Sequence, residues 1–266
     1  MYCHREGEIS PEEEISLPDL ENIFLVANEL GITSVKLTGG EPLLRKDLTQ
    51  IISSIPKGME VSLTTNATLL RDMAQELKDA GLSRVNVSID SLSRDLYRKI
   101  TGKDFLTSVM DGIEAALKSG LTPVKLNMVV LKGLNESEIE NFIEYAGRDR
   151  NLILQLIELL DVVPCPYHCD LALIEEELMF RADRIITRRM HNRNKYCIKG
   201  AEIEIVRPLH NTTFCARCNR LRVTSDAKLK PCLLRSDNHI DIRGKRGEEL
   251  KNLFLEAVSK REPYSR

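Results

Sequence analysis

Through the first two-thirds of the chain, short β-branched runs alternate with stretches whose apolar residues recur every three or four positions. This spacing is that of βα units built around a parallel sheet. Five strands are predicted, at 34–38, 60–64, 85–89, 124–129 and 152–157. Leu20, Ile23, Ala27 and Leu30 fall on one helical face, as do Leu70, Ala74, Leu77 and Gly81. Each run ends near a glycine suited to a helix C-terminus.

Polar residues cluster where these strands should end: Thr38-Gly39-Gly40-Glu41, Thr64-Thr65-Asn66, Ser88-Ile89-Asp90-Ser91 and Glu158. Any one cluster could simply cap the following helix. Four in succession favour a ligand site, because parallel α/β folds bind at the carboxyl ends of their strands. The glycine pair permits close backbone approach, the Glu41 carboxylate can accept from an amine, and Pro42 stiffens the exit.

Beyond residues 161–166 the pattern changes to one long charged helix, 171–190, short strands at 203–206, 221–224 and 228–233, and a last helix at 248–258. A boundary is therefore expected near residue 163, dividing the chain into 1–163 and 164–266. At 266 residues, with 42% hydrophobic and 29% charged, the chain can bury one large core with a smaller appended unit. The 38 basic and 40 acidic residues, with 5% aromatics, give no footprint for nucleic acid or a membrane surface. No apolar run of about twenty residues and no signal-like start are present, which points to the cytoplasm.

Seven cysteines without an export signal favour metal ligation over disulfides. Cys215-Ala216-Arg217-Cys218, followed after thirteen residues by Cys232, can grip one metal from a turn and close it from a distance. Spacing leaves zinc and a 4Fe-4S cluster both open; His210, His239 or Cys197 could supply a fourth ligand. In Asn219-Arg220-Leu221-Arg222, a strand would set both arginines on one face beside the metal, suited to an anionic ligand. Cys165 and Cys169 lack a companion pair and are read as free thiols.

These motifs together resemble the radical S-adenosylmethionine (SAM) superfamily, and within it the GTP 3',8-cyclases that open molybdenum-cofactor biosynthesis. The resemblance is carried by Lys36-Leu37-Thr38-Gly39-Gly40-Glu41-Pro42, Thr64-Thr65-Asn66, Val87-Ser88-Ile89-Asp90, Val124-Lys125-Leu126-Asn127 and the three cysteines with Asn219-Arg220-Leu221-Arg222. It implies an α/β fold, a partial (β/α)6 radical-SAM barrel lacking its first strand, with a small C-terminal α+β domain holding a second iron-sulfur site. It implies Tyr2, Gly40 and Ser88 for SAM, and Lys36, Thr64, Lys125, Arg220 and Arg222 for GTP. Cys3 would ligate the first 4Fe-4S cluster and Cys215, Cys218 and Cys232 the second.

The implied reaction converts GTP to 3',8-cyclo-7,8-dihydro-GTP by abstraction of a ribose hydrogen, with no conventional catalytic acid or base among the side chains. An electron donor and a downstream cyclic pyranopterin synthase are the implied partners; a homodimer is retained as a candidate assembly. Rival readings are a radical-SAM enzyme acting on a peptide or another small molecule, and a catalytically inactive metal-binding interaction module. The chain departs from the pattern in three places. The first two cluster cysteines and a first strand would lie before Met1, the sign of a clipped chain or misplaced start. Leu160 stands where many relatives carry methionine, and the end lacks a Gly-Gly tail.

Overall fold

The computed structural model describes residues 14–160, 165–187, 194–207, 218–235 and 237–262. It opens with helix α1 (Leu17–Glu29), whose N-cap Ser16 accepts from the Asp19 amide at 3.3 Å and whose first turn holds Pro18. A side-chain oxygen on an otherwise orphaned amide and a proline that needs no donor are both favourable there. Strand β1 (Ser34–Leu37), helix α2 (Leu48–Ser54), strand β2 (Glu60–Thr65), helix α3 (Leu70–Asp79) and strand β3 (Arg84–Ser88) follow. Then come helices α4 (Arg94–Thr101) and α5 (Leu106–Lys118), strand β4 (Val124–Val130), helix α6 (Ile139–Ala146) and strand β5 (Leu152–Glu158). Each of the five predicted strands is present, with bounds within one residue of those expected. Gly31 and Gly81, just past α1 and α3, adopt φ of +77° and +114°, the backbone that a glycine supplies without strain.

The region after residue 164 differs more from expectation. The helix predicted over 171–190 ends early, as α7 (Ala172–Arg181): Ala182 turns extended, and the β-branched pair Ile185-Ile186 enters a strand, β6 (Arg184–Thr187). Strand β7 (Asn194–Ile198), also unpredicted, leads through a Lys199-Gly200 turn into β8 (Ala201–Val206). The expected strands at 221–224 and 228–233 shorten to β9 (Arg222–Val223) and β10 (Lys228–Lys230), since Pro231 has no amide to continue a ladder. A short β11 (Ile240–Asp241) and helix α8 (Gly247–Ser259) complete the described chain.

One eight-stranded sheet runs in the order β1-β2-β3-β4-β5-β8-β7-β6. The first six strands in that order are parallel, and β7 and β6 add an antiparallel hairpin. The small sheet β11-β10-β9 is separate. Because side chains alternate along a strand, the registers divide the parallel strands into two faces. One carries Val61, Leu63, Val85, Val87, Leu126, Met128, Leu154, Leu156, Ile203 and Ile205, all buried with the helices in one core. The other carries polar residues on each parallel strand, from Lys36 and Ser62 through Thr64, Asn86, Ser88, Lys125 and Asn127 to Gln155 and Glu204, with Val129, Ile153 and Ile157 interspersed.

Candidate active site at the carboxyl ends of the strands

The strand-end clusters separate, residue by residue, into groups that face the polar surface and groups the fold consumes. On β2, Thr64 pairs in register with Asn86 on the polar face and is half-buried. Its neighbour Thr65 points the other way and is 2% exposed. Thr65 Oγ1 donates to Glu41 Oε1 at 2.7 Å, and Glu41 Oε2 accepts from the Asn66 amide at 2.7 Å. At the end of β3, Ser88 is exposed on the polar face, while Asp90 accepts from the Val129 amide at 2.9 Å. Ser91 Oγ donates to buried Glu138 at 2.8 Å. Glu158, 2% exposed, accepts from the Leu171 amide and from Arg207 Nε at 3.2 and 3.3 Å. Asp90, Ser91 and Glu158 therefore act as internal struts: Asp90 ties its loop to β4, and Glu158 ties the segment before α7 to the sheet.

What is left facing outward fits a small organic ligand. Gly39 has φ of +148°, and a Cβ built on Gly40 would meet no protein atom within 4 Å. The missing side chain at Gly40 is thus not demanded by packing, and it leaves open space beside the β1 end. Ser88 pairs in register with Asn127. Among the described residues, Asn127 Oδ1 is a buried side-chain oxygen without a hydrogen-bond partner. A buried acceptor left unpaired costs about 1–3 kcal/mol, which a donor on a ligand would recover.

Beside them lies a buried ion pair. Lys125 Nζ donates to Glu204 Oε2 at 2.7 Å, and Gln155 Nε2 donates to the same oxygen at 3.2 Å. The Glu204 side chain is 1% exposed and that of Lys125 13%. Glu204 and Gln155 were not anticipated from the sequence. The signal was there, since Glu202-Ile203-Glu204-Ile205 alternates with period two and sets both carboxylates on one face. Lys36, on β1, is exposed on the same face.

The second group of expected residues lies around the β9–β10 hairpin. Arg222 pairs in register with Lys230, so Cys218, four residues before the hairpin, and Cys232, two after it, flank its open end. Both are free, half-buried thiols, which suits shared ligation of a metal or cluster. The strand starts at Arg222, so alternation does not govern Arg220, which is exposed. Arg261, just beyond α8, donates to the backbone carbonyls of both Cys218 and Arg220.

Tyr2, Cys3, His210 and Cys215 lie outside the described residues. Of the other candidate fourth ligands, His239 has Nε2 3.2 Å from the Arg235 carbonyl, and Cys197 sits on β7 with an Arg184 nitrogen 3.8 Å from its sulfur. Cys169 is buried, and its Sγ lies 3.5 Å from Glu136 Oε1. Burial, and then the Glu136 charge, push its thiol up to about 11.

Comparison with known proteins agrees with this geometry. The Radical SAM superfamily matches residues 1–146, and the Molybdenum Cofactor Synthesis C family matches residues 153–266. A probable GTP 3',8-cyclase of Methanothermobacter marburgensis is 50% identical, over 99% of this chain and 90% of its own length. One from Archaeoglobus fulgidus is 48% identical, over 99% and 90%. Among solved structures, Streptococcus suis SuiB bound to SAM superposes with a TM-score of 0.67 at 15% identity, covering 96% of this chain and 61% of SuiB. That likeness bears on the fold. Near-complete coverage at about half identity, with both family segments in order, bears on the family: the chain belongs to the GTP 3',8-cyclases of the radical SAM superfamily.

Proposed function

We propose that the chain cyclises GTP to 3',8-cyclo-7,8-dihydro-GTP, the first step of molybdenum-cofactor biosynthesis, with SAM and two 4Fe-4S clusters. When bound, SAM and its cluster supply a carbon-centred oxidant that removes a ribose hydrogen from the substrate. The task of the protein is placement. The Gly39-Gly40 turn, Ser88 and the unsatisfied Asn127 oxygen form the SAM side, with Tyr2 and Cys3 assigned by family likeness. Lys36, Thr64 and Lys125 on the polar face, with Arg220 and Arg222 on the hairpin segment, form the GTP side. Cys215, Cys218 and Cys232 would hold the second cluster.

The observation that carries this reading is the shared polar face. Thr64, Ser88, Lys125 and Asn127 come from three adjacent strands in continuous register, so the groups assigned to SAM and to GTP are neighbours. Such adjacency suits a reaction that passes a hydrogen between two bound molecules, where fixed separation replaces a chance encounter. Fixed cations suit a triphosphate, and the arginine forks suit its oxygens or the base edge. A one-electron donor is a required partner. The cyclised product passes to a downstream cyclic pyranopterin synthase.

The test is a binding titration on anaerobically reconstituted protein with GTP and with an unrelated peptide. Saturable GTP binding in the presence of magnesium, weakened about tenfold or more by Arg220→Ala, supports the reading. Peptide binding with no response to GTP would overturn it.

A further inference from the structure

We propose that Glu41 is a positioning residue: its carboxylate is a strut that sets the spacing between the SAM loop and the GTP-contacting strand, and it does not receive the amine of SAM. The proposal rests on the cyclase reading and deepens it.

Both oxygens of Glu41 are engaged within the protein. Oε1 accepts from Thr65 Oγ1 at 2.7 Å and from the Leu43 amide at 3.0 Å, and Oε2 accepts from the Asn66 amide at 2.7 Å. The Leu43 bond holds the carboxylate against its own turn, the 3-10 segment Pro42–Leu44. The other two cross to the end of the neighbouring strand. Glu41 follows Gly40 directly, and Thr65 follows Thr64 directly. A rigid link between 41 and 65 therefore fixes 40 relative to 64.

The far end of the link is itself braced. Thr65 Oγ1 accepts from the Ala67 amide at 2.9 Å, and Asn66 Oδ1 accepts from the Thr68 amide at 2.9 Å and the Thr68 hydroxyl at 2.7 Å. Ala67 is fully buried at φ +61°, a left-handed conformation that a residue with a side chain adopts only when its surroundings hold it there. Its carbonyl oxygen lies 2.4 Å from where a Cβ on Gly112 of α5 would stand, so the turn is seated hard against that helix. Charge-assisted bonds of 2.7 Å to an anchored turn make a stiff connection. A carboxylate that served the ligand would be expected to face the polar surface with acceptor capacity unused. This one faces Thr65, on the opposite side of β2.

The experiment is a double-mutant cycle on the cluster-reconstituted protein with Glu41→Gln, Thr65→Val and their combination, with Thr65→Ser as the conservative rescue. Two quantities are read: the SAM dissociation constant by equilibrium dialysis, and GTP-dependent turnover. A strut predicts that either single change lowers turnover about tenfold. It predicts that the pair loses clearly less than the product of the two single losses, since the changes share the Glu41–Thr65 bond and only Glu41→Gln also touches the Asn66 bond, and that Thr65→Ser stays within about twofold of wild type. SAM affinity should move in step for Glu41→Gln and Thr65→Val.

If Glu41→Gln weakens SAM binding about tenfold while Thr65→Val leaves it unchanged, Glu41 is an amine acceptor and the proposal is overturned. Fully multiplicative losses would overturn it as well. Amide hydrogen exchange on the wild type gives an answer even if a variant fails to fold. The Asn66 amide should be protected before SAM is added and gain no protection with it, whereas protection arising only on SAM addition would contradict a preformed strut. Wild-type protein that binds SAM but never turns over GTP would defeat the cyclase reading while leaving the affinity cycle interpretable.

Discussion

At the scale of single residues, the site depends on charges the fold has already paired. Removing Glu204 takes from the Lys125 ammonium and the Gln155 amide the carboxylate oxygen they share in a largely dry environment. Breaking a buried pair from one side costs more than the pair itself is worth. Glu204→Ala should therefore lower stability by about 3 kcal/mol, seen as a lower urea midpoint at unchanged slope. Glu204→Gln, which keeps an acceptor oxygen, should lose less. Equal midpoints for wild type and Glu204→Ala would mean that the pair is not formed.

Cys169 offers a second residue-level test. Its thiol ionises near 11 in the fold against an ordinary 9.0, because burial and the Glu136 carboxylate disfavour the thiolate. Above pH 9 the unfolded chain therefore loses this proton first, and this residue's contribution makes stability fall between pH 9 and 11. Below that window, iodoacetamide should modify Cys169 more slowly than half-buried Cys197, as read by peptide mass spectrometry. Rapid modification of Cys169 at pH 8 would refute its burial against Glu136.

Which residues serve as struts was not legible in the sequence. Ser91 is the same residue type as Ser88, Glu158 and Asp90 stand at strand ends as the site residues do, and only the partners at Glu138, Leu171, Arg207 and Val129 reveal their use. Thr64 and Thr65 are the same residue type side by side, separated only by the parity of the strand.

At the scale of elements, the parallel strands were readable because each is a β-branched run bounded by turn residues and buried on one face. α7 and β6 were not. Charged residues run through 171–190 without a glycine or proline to mark the break, and the change of period rests on Ile185 and Ile186 alone. Of the short strands, β9 and β10 were expected at greater length, and β11 alone fell beyond any periodic signal, since two residues cannot establish one.

Packing of α5 against the β2 turn gives the prediction proper to this scale. A Cβ on Gly112 would lie 2.4 Å from the Ala67 carbonyl oxygen and 3.2 Å from Leu70 Cβ. Gly112→Ala must push α5 away from the turn that follows Thr64. An exposed glycine in a helix usually gains from such a change, but here overpacking should dominate and cost about 2 kcal/mol. A lowered thermal midpoint together with a raised KM for GTP is expected. An unchanged or raised midpoint would show that α5 is not seated on this turn.

For the whole molecule, the sheet joins what the sequence divides. β5 and β8, from the segment matched by the Molybdenum Cofactor Synthesis C family, extend the parallel sheet beyond β4 and bring Glu204 to Lys125 across β5. The polar face is therefore built jointly by residues far apart in the chain, which explains why the Lys125 partner escaped a reading made motif by motif. Among the described residues, no helix is long and apolar enough to cross a membrane.

The central claim is that this polar face holds SAM and GTP as neighbours, so that one acts on the other. The most direct measurement is the yield of 5'-deoxyadenosine from SAM by the anaerobically reconstituted, reduced protein, with and without GTP carrying deuterium at C3'. The account predicts GTP-stimulated cleavage with deuterium recovered in the 5'-deoxyadenosine. Cleavage indifferent to GTP, with no deuterium transferred, would contradict it.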